Sequence, residues 1–151
     1  MNSRAQSGYH GVMVKLGSIE LEAPFFQAGL AGYSDTAMRL VARRHGAPYA
    51  VTEALLDVFL LQGGRGLKAA ELDPADHPIA GQLMGSHPQD IARAAKVLAG
   101  TGYDVIDVNL ACPVKRYVSA PGAVTCSVNQ PRRWRYWMRC VRLCPNMFPA
   151  R

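Results

Sequence analysis

The stretch "HPIAGQLMGSHPQDIARAAKVLAGTGYDVIDVNLACP", residues 77–113, has the pattern of a strand, a helix and a second strand. The short apolar run at residues 77–85 predicts a buried strand. From Pro88, which suits a first helical turn, apolar residues recur at helical spacing until Gly100, where we expect the helix to end. These are Ile91, Ala94, Ala95 and Leu98. The segment "YDVIDVNLACP", residues 103–113, predicts the next strand, with Val105, Ile106 and Val108 as its apolar content. Such a unit favours parallel strands in an α/β fold.

The sequence before this stretch repeats the alternation. Residues 23–32, "APFFQAGLAG", predict a strand buried on both faces. A helix follows, capped by Ser34 or Asp35 and stopped by Gly46. Its expected inner stripe consists of Ala37, Met38, Val41 and Ala42. Residues 48–61 predict a short strand at 49–52 that runs into a second helix, and "QGGRG" at 62–66 predicts a flexible turn.

The polar residues favour a closed barrel over an open sheet. No G-x-G-x-x-G follows a predicted strand, which weakens a dinucleotide-binding interpretation. Polar side chains instead gather where strands end, which is the catalytic face of a (β/α)8 barrel. Such a barrel needs about 250 residues, so this chain would supply roughly half of the strands. The predicted fold is therefore a partial (β/α)8 TIM barrel of about four βα units.

Charge divides the chain in two. The net charge is +6, yet residues 1–116 carry eleven Lys or Arg and eleven Asp or Glu, whereas residues 117–151 carry six Arg and no acid. No apolar run could span a bilayer, and the first ten residues lack a signal-peptide core. We therefore expect a cytoplasmic protein without membrane contact, with its four cysteines as free thiols. The histidines lack metal-ligand spacing, so no metal site is predicted.

Several of the polar residues have a purely structural alternative. Cys112 could be a small apolar residue after a buried strand, although Pro113 and Asn109 beside it suit a chemical role. Gln82 could satisfy backbone groups, and Glu53 could stabilise a helix N-terminus. Lys115 could be a solvated surface charge. The residues alone leave these alternatives open.

Four segments together resemble the tRNA-dihydrouridine synthases. They are "QAGLAGYSD", "VTEAL", "HPIAGQLMGS" and "GYDVIDVNLACPVKR", and they occur in the family's order and spacing between residues 17 and 116. The resemblance implies an FMN-bearing (β/α)8 barrel followed by a small helical domain. It also implies reduction of the C5–C6 bond of uridines in tRNA, with NADPH as the reductant.

The resemblance assigns roles residue by residue. Cys112 matches the catalytic cysteine, and a thiol with an ordinary pKa of about 8.5 remains protonated at neutral pH, so it can protonate uracil C5. Gln82 matches the glutamine at the edge of the flavin ring, and the loop containing Ala28, Gly29 and Leu30 matches the loop beneath it. Three positions would contact the RNA substrate. Asn109 matches the residue that orients uracil, Glu53 lies near the substrate, and Lys115 would face the RNA backbone.

Two positions depart from the family pattern. Gly29 stands where the family usually has Pro, and Ala111 stands where it usually has Gly before the cysteine. Alanine adopts a positive φ less readily than glycine, so the second change could re-aim the cysteine loop slightly.

The sequence after Arg116 does not continue the family pattern. Residues 117–151 show neither helical nor alternating periodicity, and we expect them to form a poorly ordered, non-homologous basic tail after a domain at residues 1–116. Reading one base out of frame permits a family-like continuation, in which Tyr136–Trp137 gives Leu and Trp137–Met138 gives Asp. We therefore interpret the tail as the product of a frameshift. The polypeptide would then lack later flavin-binding residues, bind FMN weakly and associate with itself through unpaired strand edges.

Two other functions fit part of the sequence. An FMN barrel that acts on a free pyrimidine, such as a dihydroorotate dehydrogenase, also places a cysteine or serine near an Asn-rich loop. A non-enzymatic RNA-binding fragment would use the arginine and tryptophan residues of the tail for charge and stacking. The "CPVK" and "QLMGS" segments favour the tRNA enzyme.

Overall fold

The computed structural model describes residues 14–110. This range contains six strands and four helices. In chain order they are β1 (Val14–Leu16), β2 (Ile19–Leu21), α1 (Thr36–Arg44), β3 (Ala50–Val51), β4 (Leu55–Leu56), α2 (Asp57–Leu61), α3 (Arg65–Ala69), β5 (Ile79–Met84), α4 (Pro88–Thr101) and β6 (Val105–Val108). The predicted α/β class is confirmed. Cys112 and Lys115, the tail and its boundary at residue 116 lie outside the described residues.

The main sheet is parallel, and its neighbours follow chain order. Gln27 forms a parallel bridge with Ala50, β3 and β4 pair with one edge of β5, and β6 pairs with the other edge. The helices between successive strands explain this order, because each returns the chain to the next position along the sheet. Among residues 14–110 the sheet does not close on itself.

The two faces of the sheet bury different side chains. Ile79 and Leu83 of β5 pack against one face of α4, in a cluster that includes Ile91, Ala94, Ala95 and Leu98, each fully buried. We call this the outer face. Ala80 points to the opposite, inner face, where it packs with Tyr49 and Val51. The antiparallel hairpin of β1 and β2 adds Val14, Ile19 and Leu21 to the inner cluster.

The strand that precedes β5 contains one extra residue. Val51 pairs with Ala80 and Leu55 pairs with Leu83, so three residues on this edge lie opposite two on β5. Val51 packs on the inner face whereas Leu55 packs on the outer face. Residues four apart in a regular strand would share a face. The three residues Thr52, Glu53 and Ala54 therefore form a β-bulge between β3 and β4.

The central prediction, strand–helix–strand over residues 77–113, is confirmed as far as the description reaches. All four residues predicted for the inner face of α4 are buried. The expected stop at Gly100 is wrong, because the helix continues to Thr101 and ends at Gly102 with φ +107°. A left-handed terminal residue favours glycine, so the second of the two glycines ends the helix.

Three predictions upstream are wrong in detail. Residues 23–32 contribute a single bridge at Gln27 instead of a buried strand, because no strand among residues 14–110 pairs on its other side; Phe26 is 54% exposed. Helix α1 begins after Asp35 as predicted, but Val41 of the expected inner stripe is 50% exposed. The "QGGRG" segment is only partly a turn, since α3 begins at Arg65.

A buried ionic cluster holds α1 in place. Arg39 is the buried residue of this helix, and its guanidinium Nε donates to Asp76 Oδ2 at 2.7 Å. Arg43 Nε donates to the other Asp76 oxygen at 2.6 Å and its Nη2 donates to the Pro78 carbonyl at 2.9 Å. Asp76 is fully buried. The helix is thus fixed to the segment before β5 by charge pairing, whereas the sequence predicted an apolar contact.

Candidate active site

The inner face of the sheet carries polar side chains toward the carboxyl ends of β5 and β6. Gln82 pairs with Asp107 in the sheet register, so both side chains project from the same face. Asn109 lies two residues further along, which returns it to that face. The Asn109 backbone N–H donates to the Leu83 carbonyl at 2.8 Å, so the pairing of β6 with β5 extends to this residue.

These three side chains form a continuous hydrogen-bonded row. Gln82 Nε2 donates to Asp107 Oδ2 at 2.6 Å, and Asn109 Nδ2 donates to Gln82 Oε1 at 3.1 Å. Gln82 and Asn109 were both predicted from the sequence, and the structure brings them into direct contact. The amide of Gln82 thus has a side-chain partner at each of its two polar atoms.

Asp107 was not predicted as a site residue. The residue lies in "YDVIDVNLACP", where it was grouped only with the apolar strand. The available signal was the two-residue alternation, which places Asp107 on the same face as Asn109. Its negative charge also acts on a neighbour. Burial, together with the smaller effect of the charges of Asp107 and Asp104, raises the pKa of the Tyr49 phenol to about 12.

The bulge directs Glu53 to the loop that follows the bridge at Gln27. Glu53 Oε2 accepts a hydrogen bond from the Gly32 backbone N–H at 2.9 Å. Glu53 therefore braces this loop and does not stabilise a helix N-terminus. Helix α2 begins four residues later at Asp57, whose Oδ1 accepts the Val58 N–H at 2.6 Å.

The predicted loop of Ala28, Gly29 and Leu30 packs closely on the bulge. A Cβ added to Gly29 would lie 2.2 Å from the Thr52 carbonyl oxygen, so the backbone approaches more closely than any side chain would permit. The close contact explains why this chain has glycine at position 29, where the family usually has proline. The Ser34 hydroxyl accepts from the Leu30 N–H at 2.7 Å and donates to the Leu30 carbonyl at 3.0 Å, which ties the loop to the start of α1.

A buried carboxylate lies beside the end of β5. Asp57 is 3% exposed, and its Oδ2 has no hydrogen-bond partner among residues 14–110. It lies so close to Gly85 that a Cβ there would be 1.9 Å from Oδ2. Burial raises the pKa of Asp57, and the hydrogen bond from Val58 opposes that shift. No pattern in the sequence predicted a role for Asp57.

The comparisons with known proteins agree with the residues assembled here. The family model described as "Dihydrouridine synthase (Dus)" matches residues 26–124. The chain belongs to the dihydrouridine synthase family. That match includes the loop, the bulge, the Gln82–Asn109 pair and the segment with Cys112. No helix within residues 14–110 is long and apolar enough to cross a membrane, and no group of three potential metal ligands occurs among them.

Similar proteins of known sequence bear the same family name. A probable tRNA-dihydrouridine synthase of Rickettsia conorii is 34% identical over 108 residues, which is 70% of this chain and 33% of that protein. The corresponding protein of Aquifex aeolicus is 37% identical over 90 residues, or 59% and 28%. The tRNA-dihydrouridine synthase B of Xanthomonas axonopodis is 31% identical over 112 residues, or 71% and 32%. This dihydrouridine synthase family chain spans about a third of the relatives it matches.

Proposed function

We propose that this chain forms the N-terminal part of the active site of an FMN-dependent tRNA-dihydrouridine synthase, which reduces uridine C5–C6 in tRNA. The observation that carries the proposal is the contact between Gln82 and Asn109 on the inner face of the sheet. The family match supports a tRNA enzyme over an enzyme of free pyrimidines. A cytoplasmic location is part of the proposal, because that is where tRNA is processed.

The sheet order supports a barrel that is about half complete. Four successive parallel positions lie next to one another in chain order: Gln27, β3 with β4, β5, and β6. A singly wound barrel has this order, whereas a doubly wound sheet reverses it at a switch point. In this arrangement the inner face would become the barrel interior, and the row of polar side chains would lie at its carboxyl-terminal mouth.

The described residues fit the ring of FMN. An amide can donate and accept, which suits the alternating donors and acceptors at the pyrimidine edge of an isoalloxazine. Gln82 offers such a group on the inner face, and the loop of Ala28, Gly29 and Leu30 is held rigidly next to the same end of the sheet. FMN, kept reduced by NADPH, would supply the hydride to uracil C6.

The chain's own residues would bind uracil and move a proton. Asn109 would orient the base through its amide. Cys112, three residues later, would donate the thiol proton to C5, where negative charge develops as the hydride arrives at C6. Glu53 would position the loop near the substrate, and Lys115 would contact the phosphate backbone of tRNA.

Activity can be tested in a chimera that completes the barrel. Residues 1–116 are joined to the remainder of the Rickettsia conorii relative and expressed in bacteria that lack dihydrouridine synthases. We expect dihydrouridine in tRNA, measured by mass spectrometry of nucleosides. Cys112→Ala in the same chimera should reduce its formation by about 100-fold or more, because removal of a positioned acid costs roughly that factor. Full activity of Cys112→Ala would contradict the proposed role.

For the 151-residue polypeptide we propose weak FMN binding and a tendency to self-associate. Within residues 14–110 no strand pairs with the outer edge of β6 or with the far side of the Gln27 segment, and a strand edge that stays unpaired invites pairing with another chain. Stoichiometric flavin absorbance in the purified polypeptide would contradict weak binding. Elution as a monomer at all concentrations in size-exclusion chromatography would contradict self-association.

We also propose that residues 117–151 are translated out of frame. Six arginines without a single acid, directly after a segment of balanced charge, support this origin. Sequencing the gene through codon 116 tests it. A single inserted or deleted base there should restore a longer reading frame with further strand–helix units, and an intact frame would contradict the proposal.

A further inference from the structure

The row of Asp107, Gln82 and Asn109 has a defined donor direction. An ionised carboxylate has acceptor oxygens only, so the NH2 group of Gln82 must face Asp107. The Gln82 carbonyl oxygen then faces Asn109 and can only accept, so Asn109 must present its NH2 group to it. The carbonyl oxygen of Asn109 is thereby turned away from Gln82. One carboxylate sets the orientation of two amides.

The backbone beneath this row is fixed on both sides. Gln82 and Asp107 are register partners in the ladder of β5 and β6. The Gln82 N–H donates to the Thr52 hydroxyl at 3.0 Å, and the Asn109 N–H donates to Leu83. The main chain therefore cannot shift to compensate for a rotated amide. Only the side-chain torsions remain, and Asp107 determines which rotation of the Gln82 amide is stable.

Asp107 forms no ion pair with a Lys, Arg or His among residues 14–110. Nearby Tyr49 remains a neutral phenol at physiological pH. The partner of the carboxylate in this part of the chain is thus the amide of Gln82, through a short bond of the charge-assisted type.

We propose that Asp107 is a positioning residue that fixes the amides of Gln82 and Asn109 for the flavin edge and for uracil. This inference rests on the proposed function. An amide nitrogen carries two hydrogens, and Asp107 takes one, which leaves an N–H of Gln82 for a ligand. Without the carboxylate either amide orientation is acceptable to the protein, so a fraction of molecules presents an acceptor where a donor is required.

The test is a double-mutant cycle read from side-chain amide signals in nuclear magnetic resonance of the ligand-free polypeptide. Asp107→Asn removes the charge but keeps the shape. We expect the Asn109 amide signal to shift in Asp107→Asn. Asn109 and Asp107 each form a hydrogen bond with Gln82, so the effect would pass through the Gln82 amide. In a Gln82→Met background, which lacks the relaying amide, the same substitution should leave Asn109 unshifted. An equal shift in both backgrounds, or no shift in either, overturns the proposal.

Asp104→Asn is the matched control. Asp104 lies three residues earlier, carries the same charge and accepts the Ile79 N–H at 2.7 Å at the opposite end of the strand. Its substitution should not move the Gln82 or Asn109 amide signals. If Asp107→Asn does not fold, Asp107→Ser in the same two backgrounds replaces it. The Asn109 amide signal should again shift only where Gln82 is present, and an equal shift in both backgrounds overturns the proposal.

The functional consequence is measured in the chimera described above. Asp107→Asn should lower dihydrouridine formation about tenfold or more, because misplaced binding groups lose rate steeply, while Asp104→Asn should retain it. Full activity of Asp107→Asn overturns the positioning role and leaves the proposed function intact. Inactivity of the unsubstituted chimera contradicts the proposed function, whereas the amide signals still decide whether Asp107 orients the pair.

Discussion

The side-chain hydroxyl of Thr52 accepts a hydrogen bond from the backbone N–H of Gln82 at 3.0 Å. It also donates to the Glu53 carbonyl at 2.8 Å, so it serves as a substitute for the main chain within the β-bulge. A bulge leaves part of a ladder unpaired, and a buried unpaired N–H is costly. Thr52 is 4% exposed. The Thr52 hydroxyl thus provides the hydrogen-bond partner that the Gln82 backbone N–H would otherwise lack next to the bulge.

Replacing this hydroxyl should weaken the fold. Thr52→Val keeps the size and branching of the side chain but leaves the Gln82 N–H and the Glu53 carbonyl without their partner. We expect the free energy of unfolding to fall by about 1–3 kcal/mol, measured by urea denaturation. Thr52→Ser retains the hydroxyl and serves as the control. Equal stability of the valine and serine variants would show that the hydrogen bonds contribute little.

The cluster around Asp76 should be far more sensitive than a surface ion pair. Asp76→Asn leaves the buried guanidinium of Arg39, 5% exposed, without its counter-charge, so we expect a loss of about 3–5 kcal/mol. Glu20→Gln provides the comparison. Its partner Lys15 is 65% exposed, and such pairs contribute about 0–1 kcal/mol. Thermal denaturation measures both variants, and similar melting temperatures would contradict a structural role for the cluster.

Two glycines should respond in opposite directions to the same substitution. In Gly29→Ala the new methyl group would collide with the Thr52 backbone carbonyl, and a backbone atom cannot rotate away. We expect a loss of about 1–3 kcal/mol. Gly100 lies in α4 and an added Cβ meets no atom within 4 Å, so Gly100→Ala should stabilise by up to about 1 kcal/mol. Chemical denaturation of both variants is the measurement; a stabilised Gly29→Ala would show that the loop does not pack on the bulge.

The buried carboxylate of Asp57 should make stability depend on pH. Its pKa is raised by burial, so the folded state holds this proton at pH values where the unfolded chain has released it. The contribution is most favourable below the ordinary aspartate pKa and is lost as pH rises through the raised pKa. Asp57→Asn cannot ionise, so its stability relative to the unmodified chain should increase from pH 4 to pH 7.

Urea denaturation at both pH values measures this difference. Glu71→Gln removes one negative charge from an exposed position and is the control for a general effect of net charge. An equal change in the two variants would mean that net charge, and not the burial of Asp57, governs the pH dependence.

Sequence patterns correctly predicted the elements that pack against their immediate neighbours in the chain. Helix α4 lies between two strands, and its inner stripe packs on the strand before it, so local periodicity was sufficient. Residues 23–32 depend on pairing along both edges, and among residues 14–110 only Ala50 bridges to them. The buried side of α1 is set by Asp76, more than thirty residues away. No helical periodicity can reveal an ionic partner at that distance.

The candidate site was predictable where the family resemblance reached it. Gln82 and Asn109 were identified in this way, and their contact follows from the register of β5 and β6. Asp107 and Thr52 were missed, because each acts through a hydrogen bond that exists only after the strands have paired. Alternation along β6 indicated the face of Asp107, whereas the bulge at Thr52 has no signature in composition or spacing.

The extra residue between Val51 and Leu55 should restrict insertions and deletions in this segment during the evolution of the family. Removing one residue there would let the edge strand run in unbroken register along β5 from Ile79 to Met84. Such a deletion would improve the sheet, yet it would withdraw the carboxylate that reaches Gly32. The shortened strand would be more regular, but the loop that contains Gly32 would lose its hydrogen bond to Glu53. We expect insertions and deletions to be selected against at this point, although it is an irregular segment where length changes are ordinarily tolerated.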